Sequence, residues 1–376
     1  MELFLNHACN LRCTYCYNHS HSVNPMTTEV MDRALQMAFA QPVDIVNIGF
    51  FGGEPLLSPD LLSKGVAQAR KLASAGRRRM RLIMTTNGTL LDGPRLDFIL
   101  KNRFRLAVSL DGPEHVHDAH RVFASGRGSH SLVVANLKHA LTLKPDISVI
   151  SVSGPDNIRH AGAALRFSAS LGVLRHHPAI DYGACWDENA LRRFARGIQG
   201  LADAWADLYR AGNPVSVPLI DSKIARNIIH PQVSLPRCGC GGPEWTVGPS
   251  GRIYPCDRMV GPDDGSGPFI GDVFSGIDPL LQREFLDCHH STPDCCAGCA
   301  DAHRCSFWGS CIKFNMTGRI TSTPPAELCR MEKAIMRAAD RVAGELWTEG
   351  NREFIRRFYE DERARLAMSR CNPSGA

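Results

Sequence analysis

The chain has 376 residues, 44% of them hydrophobic, which is enough for one large α/β domain and a smaller appendage. Its net charge of +5 is spread along the sequence, and the densest basic run, Arg77, Arg78, Arg79 and Arg81, reads as a solvated helix end entering a strand, so no nucleic-acid partner is expected. No stretch of about 18 apolar residues and no signal peptide is present, which excludes a spanning helix and leads us to expect a cytoplasmic protein with no membrane partner.

From residue 2 to about 180, short β-branched or apolar runs alternate with helical patterns. This predicts six strands, at 2–6, 44–51, 81–86, 104–110, 147–153 and 173–180, with helices near 27–40, 59–76, 92–102, 129–144 and 158–171. Six such units are two short of a closed eight-stranded barrel, so the expected fold class is α/β, a partial (β/α)6 TIM-like barrel whose strand C-terminal ends carry the site. An amphipathic helix at 187–211 closes it, giving a core domain of 1–212. Pro214, Pro218, Pro231 and Pro236 mark 213–237 as a linker. A Cys-, Gly- and Pro-rich module follows at 238–329, with too little periodic apolar pattern to fold without metal staples. A helical stretch at 330–366, expected to pack on that module, precedes the tail to 376.

The 15 cysteines are clustered. Three fall within residues 9–16, Cys185 stands alone, ten lie between Cys238 and Cys329, and Cys371 is near the end. In a chain without an export signal, such clusters read as metal sites rather than disulfides.

Cys9-Asn-Leu-Arg-Cys13-Thr-Tyr-Cys16 follows the first strand directly. Four thiolates would complete a [4Fe–4S] cluster; three leave one iron open to a chelating small molecule. Zinc is the alternative, with His7, His19 or His21 as fourth ligand, although zinc sites usually use paired Cys-x2-Cys knuckles. The loop, with Tyr15 before its third cysteine, resembles the signature of the radical S-adenosylmethionine (SAM) superfamily. Three further segments resemble that superfamily at the expected strand ends: Gly52-Gly53-Glu54-Pro55, Thr85-Thr86-Asn87-Gly88, and Ser109-Leu110-Asp111-Gly112-Pro113 followed by His117, Asp118 and Arg121. The resemblance implies that the Gly52–Glu54 edge accepts a hydrogen bond from the SAM ammonium and that Ser109 and Arg121 contact SAM, while Asp111 and Asp118 read equally as turn and helix caps.

The later cysteines, Cys240-x10-Gly251-x4-Cys256, Cys296-x2-Cys299-x5-Cys305-x5-Cys311 and Cys329, resemble the SPASM extension of peptide-modifying radical SAM enzymes. The family pattern implies two auxiliary [4Fe–4S] clusters, one on Cys238, Cys240, Cys256 and Cys311 and the other on Cys296, Cys299, Cys305 and Cys329. Cys288 and Cys295 compete as ligands, Cys238 and Cys240 are close enough that one is spare, and the gap 306–310 is two residues longer than the family's usual three. A structural zinc knuckle is the alternative here too.

Gly251-Arg-Ile-Tyr-Pro-Cys256-Asp257-Arg258 is similar to anaerobic sulfatase-maturating enzymes, in which an aspartate at this position takes a substrate proton. Asp257 is therefore the candidate base, with an ion pair to Arg258 or another arginine as the plainer reading. Cys185 matches a radical-quenching cysteine of peptide epimerases in place, although a lone cysteine is more often inert. The expected activity is hydrogen abstraction from a peptide residue, with auxiliary clusters taking up the substrate electron. Cross-linking of a ribosomal precursor peptide is the first choice, ahead of formylglycine formation or epimerisation. A flavodoxin- or ferredoxin-type protein is the expected electron donor. Because the first strand begins at residue 2, no fused winged-helix domain for precursor binding is expected ahead of it. A non-catalytic iron–sulfur carrier and a zinc-binding interaction protein are the readings from other classes.

Overall fold

The computed structural model describes residues 1–18, 24–229, 238–305 and 309–369. His19, His21, Pro231, Pro236, residues 306–308 of the long cysteine gap and Cys371 lie outside the described residues. The chain is an α/β protein built on parallel strands. All six expected strands form: β1 (Glu2–Phe4), β2 (Ile45–Phe51), β3 (Arg79–Thr86), β4 (Arg105–Ser109), β5 (Ser148–Ser153) and β6 (His176–Ile180). The helices between them are α1 (Thr28–Ala40), α2 (Pro59–Ala75), α3 (Gly93–Lys101), the short α4 (Glu114–His117), α5 (His130–Leu143) and α6 (Ala161–Ser170). Their ends follow local chemistry. Thr27 caps α1 by accepting from the Val30 amide, and Val30, Met31, Ala34, Leu35 and Ala38 form its buried stripe at three- and four-residue spacing.

The residues form two compact units. The first comprises Met1–Ser109, Asp118–Lys144 and Gly239–His289. In it β1, β2, β3 and β4 pair in parallel, in that order. The other edge of β1 is covered in parallel by β7 (Thr246–Val247), with Glu2 opposite Thr246 and Leu3 opposite Val247. From β7 the sheet continues antiparallel through β8 (Arg252–Tyr254), β9 (Gly271–Asp272) and β10 (Gly276–Ile277). Residues from the cysteine-rich region therefore extend the sheet that residue 2 begins, and Phe4, Phe51, Tyr254 and Val260 pack as one apolar cluster across the junction.

The second unit comprises Leu110–His117, Pro145–Cys238 and His290–Ala376. It holds the parallel pair β5–β6 and α6, with α7 (Glu188–Arg210), α8 (Pro218–Ile229), α10 (Ser310–Thr317) and α11 (Ala326–Thr348); α9 (Pro279–His290) runs from the first unit to its boundary. Two sequence expectations change here. The stretch read as a linker contains α8, in which Ile220 to Arg226 are all buried; Pro218 starts the helix rather than breaking it, because the first helical position needs no N–H partner. The stretch 330–366 is not one helix: α11 ends at Thr348, meets the cysteine module through the Asp340–Arg304 pair and the cavity that Cys296, Cys299 and Cys305 line, and lays Leu328, Met331, Ile335, Ala338, Ala339, Val342 and Leu346 into a core shared with α7 and α8. Gly350, at φ 65°, and the cap Asn351 then turn the chain into α12 (Arg352–Ile355), a π-helical turn at Arg356–Glu360 and α13 (Glu362–Ser369).

Candidate functional site

The first cysteine loop begins where β1 ends and is held against the end of β2. The Gly53 amide donates to the Asn6 carbonyl at 2.8 Å and the Glu54 amide to that of Ala8 at 2.9 Å. This approach requires glycine: Gly52 has φ 133°, and a Cβ on Gly53 would lie 2.2 Å from the Ala8 oxygen. Glu54 is fully buried, and its carboxylate accepts from the Leu56 amide, the Thr86 hydroxyl and the Asn87 amide at 3.0, 2.8 and 2.7 Å. It thus ties the end of β2 to the end of β3. Burial pushes its pKa upward against those hydrogen bonds.

Asn87 passes this order to the cysteines. Its Nδ2 donates to Asn10 Oδ1 at 2.9 Å and reaches the Cys9 sulfur at 3.7 Å, a sulfur that also accepts from the Leu11 amide. On the other side, the loop pairs with 120–123: the Arg12 amide donates to the Val122 carbonyl, and that of Thr14 to the carbonyl of His120. Arg121, buried, sets its guanidinium over the Tyr15 ring at 5.3 Å and 4.0 Å from the Cys13 sulfur. His7, which precedes the loop, and Asn18, which follows it, share a buried bond at 2.5 Å between Nδ1 and Oδ1. Burial raises the Cys9 thiol to about 11 and moves Cys16 in the same direction. These thiols wait for a metal to displace their protons, and the N–H groups and guanidinium around them suit an anionic sulfur, so the donor set fits an iron–sulfur cluster. Ser109 is buried at the end of β4. Asp118 caps α5, accepting from the Ser129 and His130 amides, and Asp111, in the second unit, accepts from the Val152 amide.

Asp257 follows β8 in the first unit. The Tyr17 hydroxyl, one residue beyond Cys16, donates to its Oδ2 at 3.3 Å, and the Cys256 thiol donates to its Oδ1 at 3.0 Å. Desolvation and the Asp257 carboxylate both push the Tyr17 pKa up, so the phenol stays a donor. Tyr17 was not among the residues singled out by sequence; nothing in its local pattern distinguishes it from the neighbouring Tyr15. The Cys256 sulfur lies within 4.8 Å of that of Cys240. Cys238 and Cys311 belong to the second unit, where Cys311 is buried in the first turn of α10.

Cys296, Cys299, Cys305 and Cys329 also belong to the second unit, and all four line one small cavity of about 50 Å³ with Lys313, Glu332 and Lys333. Cys295 is exposed beside Cys296, their sulfurs 3.9 Å apart, and Cys288 is half-buried on α9. Cys185 is exposed in the segment after β6 rather than held in apolar surroundings.

Residues 3–167 match the family model of the radical SAM superfamily. The chain carries a radical SAM domain. It is an enzyme, similar to anaerobic sulfatase-maturating enzymes: it is 24% identical over 271 residues to the cysteine-type enzyme of Clostridium perfringens, covering 67% of this chain and 72% of that one. Against the serine-type enzyme of Klebsiella aerogenes it is 27% identical over 290 residues, covering 74% and 71%. Among solved structures, anSMEcpe with bound AdoMet superposes with a TM-score of 0.77 at 21% identity, over 92% of this chain and 98% of that one. Streptococcus suis SuiB bound to its precursor peptide SuiA superposes with a TM-score of 0.62 at 13% identity, over 87% and 75%. At these identities the structural likeness is one of fold. Among the described residues, no helix is long and apolar enough to cross a membrane.

Proposed function

We propose that this radical SAM enzyme modifies a peptide, abstracting hydrogen from one residue and converting that side chain into a cross-link. The observation that carries the reading is the hydrogen bond between Tyr17 and Asp257, which puts a carboxylate beside the loop of Cys9, Cys13 and Cys16. A substrate side chain presented to one is presented to the other.

In this reading Cys9, Cys13 and Cys16 hold a [4Fe–4S] cluster, and Tyr15, Gly52, Gly53, Glu54, Ser109 and Arg121 surround SAM. When bound, the cluster with its open iron supplies the electron that breaks SAM into methionine and a 5′-deoxyadenosyl radical. Asn87 and the Leu11 amide orient the Cys9 sulfur, and Arg121 lends positive charge to the Cys13 side of the loop. Asp257 accepts the proton that the substrate loses once its hydrogen atom is gone, the electron left on the substrate would pass to an auxiliary cluster, and Tyr17 holds the carboxylate in place. Cys238, Cys240, Cys256 and Cys311 are the proposed ligands of one auxiliary cluster, and Cys296, Cys299, Cys305 and Cys329 of the other. The electron donor is a flavodoxin- or ferredoxin-type protein and the compartment the cytoplasm, where thiols stay reduced.

Formylglycine formation on a sulfatase is the second reading, favoured by the similarity to sulfatase-maturating enzymes. Two measurements test the proposal. The anaerobically reconstituted protein with dithionite and SAM releases 5′-deoxyadenosine, and the Cys9→Ala, Cys13→Ala, Cys16→Ala variant does not; SAM cleavage by that variant overturns the first assignment. On a peptide substrate, a cross-link leaves a product that gives no adduct with a hydrazide reagent and resists sequencing between the joined residues, whereas formylglycine gives the adduct.

A further inference from the structure

The cysteine loop 9–16 and the segment 119–128 that pairs with it hold three arginines and no acid. Arg121 is buried, as described above. Arg12 and Arg127 are exposed, and the backbone fixes both on one rim of the loop: Leu11 bridges Phe123, the Arg12 amide donates to the Val122 carbonyl at 2.7 Å, and the Phe123 amide donates to the Arg127 carbonyl at 2.9 Å. The Arg12 guanidinium donates to the carbonyls of Cys9 and Leu11 at 2.6 and 2.9 Å, and that of Arg127 lies over the Phe123 ring at 5.0 Å. Neither meets a carboxylate among the described residues. Asp118, next to the segment in sequence, turns its carboxylate to the amides of Ser129 and His130. Cys9, Cys13 and Cys16 are only half-buried, so on this rim the loop comes to the surface beside a single sign of charge.

We propose that Arg12 and Arg127 form the docking surface for an acidic one-electron carrier protein, an inference that rests on the reading of Cys9, Cys13 and Cys16 as the site where SAM is reduced. Exposed cations of one sign steer an acidic partner and raise its rate of association. The partner has to arrive at this rim, because an electron passes between proteins only when donor and acceptor are close. The denser basic run, Arg77 to Arg81, fails on that count. It enters β3 at Arg79, whereas the cysteine loop is tied through Asn87 to the other end of the strand, past Thr86. At about 3.3 Å per residue, β3 puts roughly 23 Å between the two. Charge density favours that run, and distance favours Arg12 and Arg127.

The test compares two reductants on the full-length, reconstituted protein: dithionite, which needs no docking, and a flavodoxin kept reduced by its reductase and NADPH. Association is followed separately, by surface plasmon resonance on immobilised flavodoxin. In the Arg12→Glu, Arg127→Glu double variant, association and flavodoxin-driven release of 5′-deoxyadenosine both fall by roughly 10-fold or more, while dithionite-driven release and iron content keep their wild-type values. Added salt slows association of the wild type more than that of the double variant. An Arg77→Glu, Arg79→Glu variant behaves as wild type with both reductants. Unchanged flavodoxin association in the double variant overturns the proposal. So does an equal loss with both reductants, which would make the arginines supports of the loop, or a larger effect from Arg77→Glu, Arg79→Glu. If Arg12→Glu loosens the loop, Arg127→Glu alone decides: it loses part of the association at wild-type iron content, and wild-type association there overturns the proposal. If the wild type releases no 5′-deoxyadenosine even with dithionite, the reading of the first loop fails independently of the two arginines.

Discussion

Tyr17 and Asp257 stand 240 positions apart and share one hydrogen bond. Asp257→Asn keeps the shape of the side chain and a partner for the phenol but cannot take a proton. In the proposed mechanism SAM cleavage needs only the first loop, so 5′-deoxyadenosine should still form while modified peptide falls by about 10² to 10⁴, the usual cost of removing a general base. Chromatography of both products from one reaction checks this, and an equal loss of both would make Asp257 a structural residue. Gly53→Ala is expected to act differently. Its new methyl would meet the Ala8 carbonyl at 2.2 Å, and the backbone shift needed to relieve that should cost about 1–3 kcal/mol and displace Cys9, lowering both the melting temperature and the cluster content of the first loop. That the cysteine loop and the Gly-Gly-Glu turn sit at the ends of β1 and β2 was legible, because each directly follows an apolar run. The roles of Asn87 and Tyr17 were not, since a side chain that reaches a sulfur or a carboxylate across the fold leaves no periodic trace.

The six parallel strands were readable for a physical reason: each is a β-branched or apolar run long enough to be buried between helices. Strands β7 to β10 have two or three residues each, too few to show alternation, and were missed within a Gly-rich stretch. Helix α8 was missed because prolines on either side of it read as linker. Helix α11 does meet the cysteine module, but its core with α7 and α8 was missed because its charged face is visible in sequence and that partner is not. Ile335, fully buried in the core shared with α7 and α8, provides the check on that packing: Ile335→Ala should cost about 2–5 kcal/mol, read from denaturant melts. Strand β6 carries a pH dependence. His176 sits between the Ser151 and Ser168 hydroxyls, and burial, followed by His177, lowers its pKa to about 3; burial and Arg175 lower His177 to about 4. Both stay neutral in the fold and gain a proton on unfolding, so their contribution is intact above about pH 6.5 and is lost as the pH falls from there toward the folded values. Glu54 and Asp221, raised by burial, pull the other way, so the readout is a difference. Between pH 7.5 and 5.5, wild type should lose on the order of 1 kcal/mol more than His176→Asn in thermal melts.

At the scale of the whole chain, the proposed clusters divide the iron. The variant lacking Cys9, Cys13 and Cys16 should keep roughly two thirds of the wild-type iron, because the remaining cysteines hold two clusters of the same type; iron analysis giving one third or less would remove an auxiliary cluster from the reading. The two units are each assembled from three separate stretches of chain, and the sheet of the first shows what that entails. Strand β1 is flanked by β2 on one edge and by β7 on the other, and β7 is Thr246–Val247. During synthesis at about 5–20 residues per second, that second edge stays bare for on the order of ten to fifty seconds after β1 leaves the ribosome. An uncovered edge beside apolar Leu3 and Phe4 is a template for pairing with another chain. Nascent chains thus carry their own interval of aggregation risk. Products stopped short of residue 247 should collect in the insoluble fraction even with every residue of the first cysteine loop present.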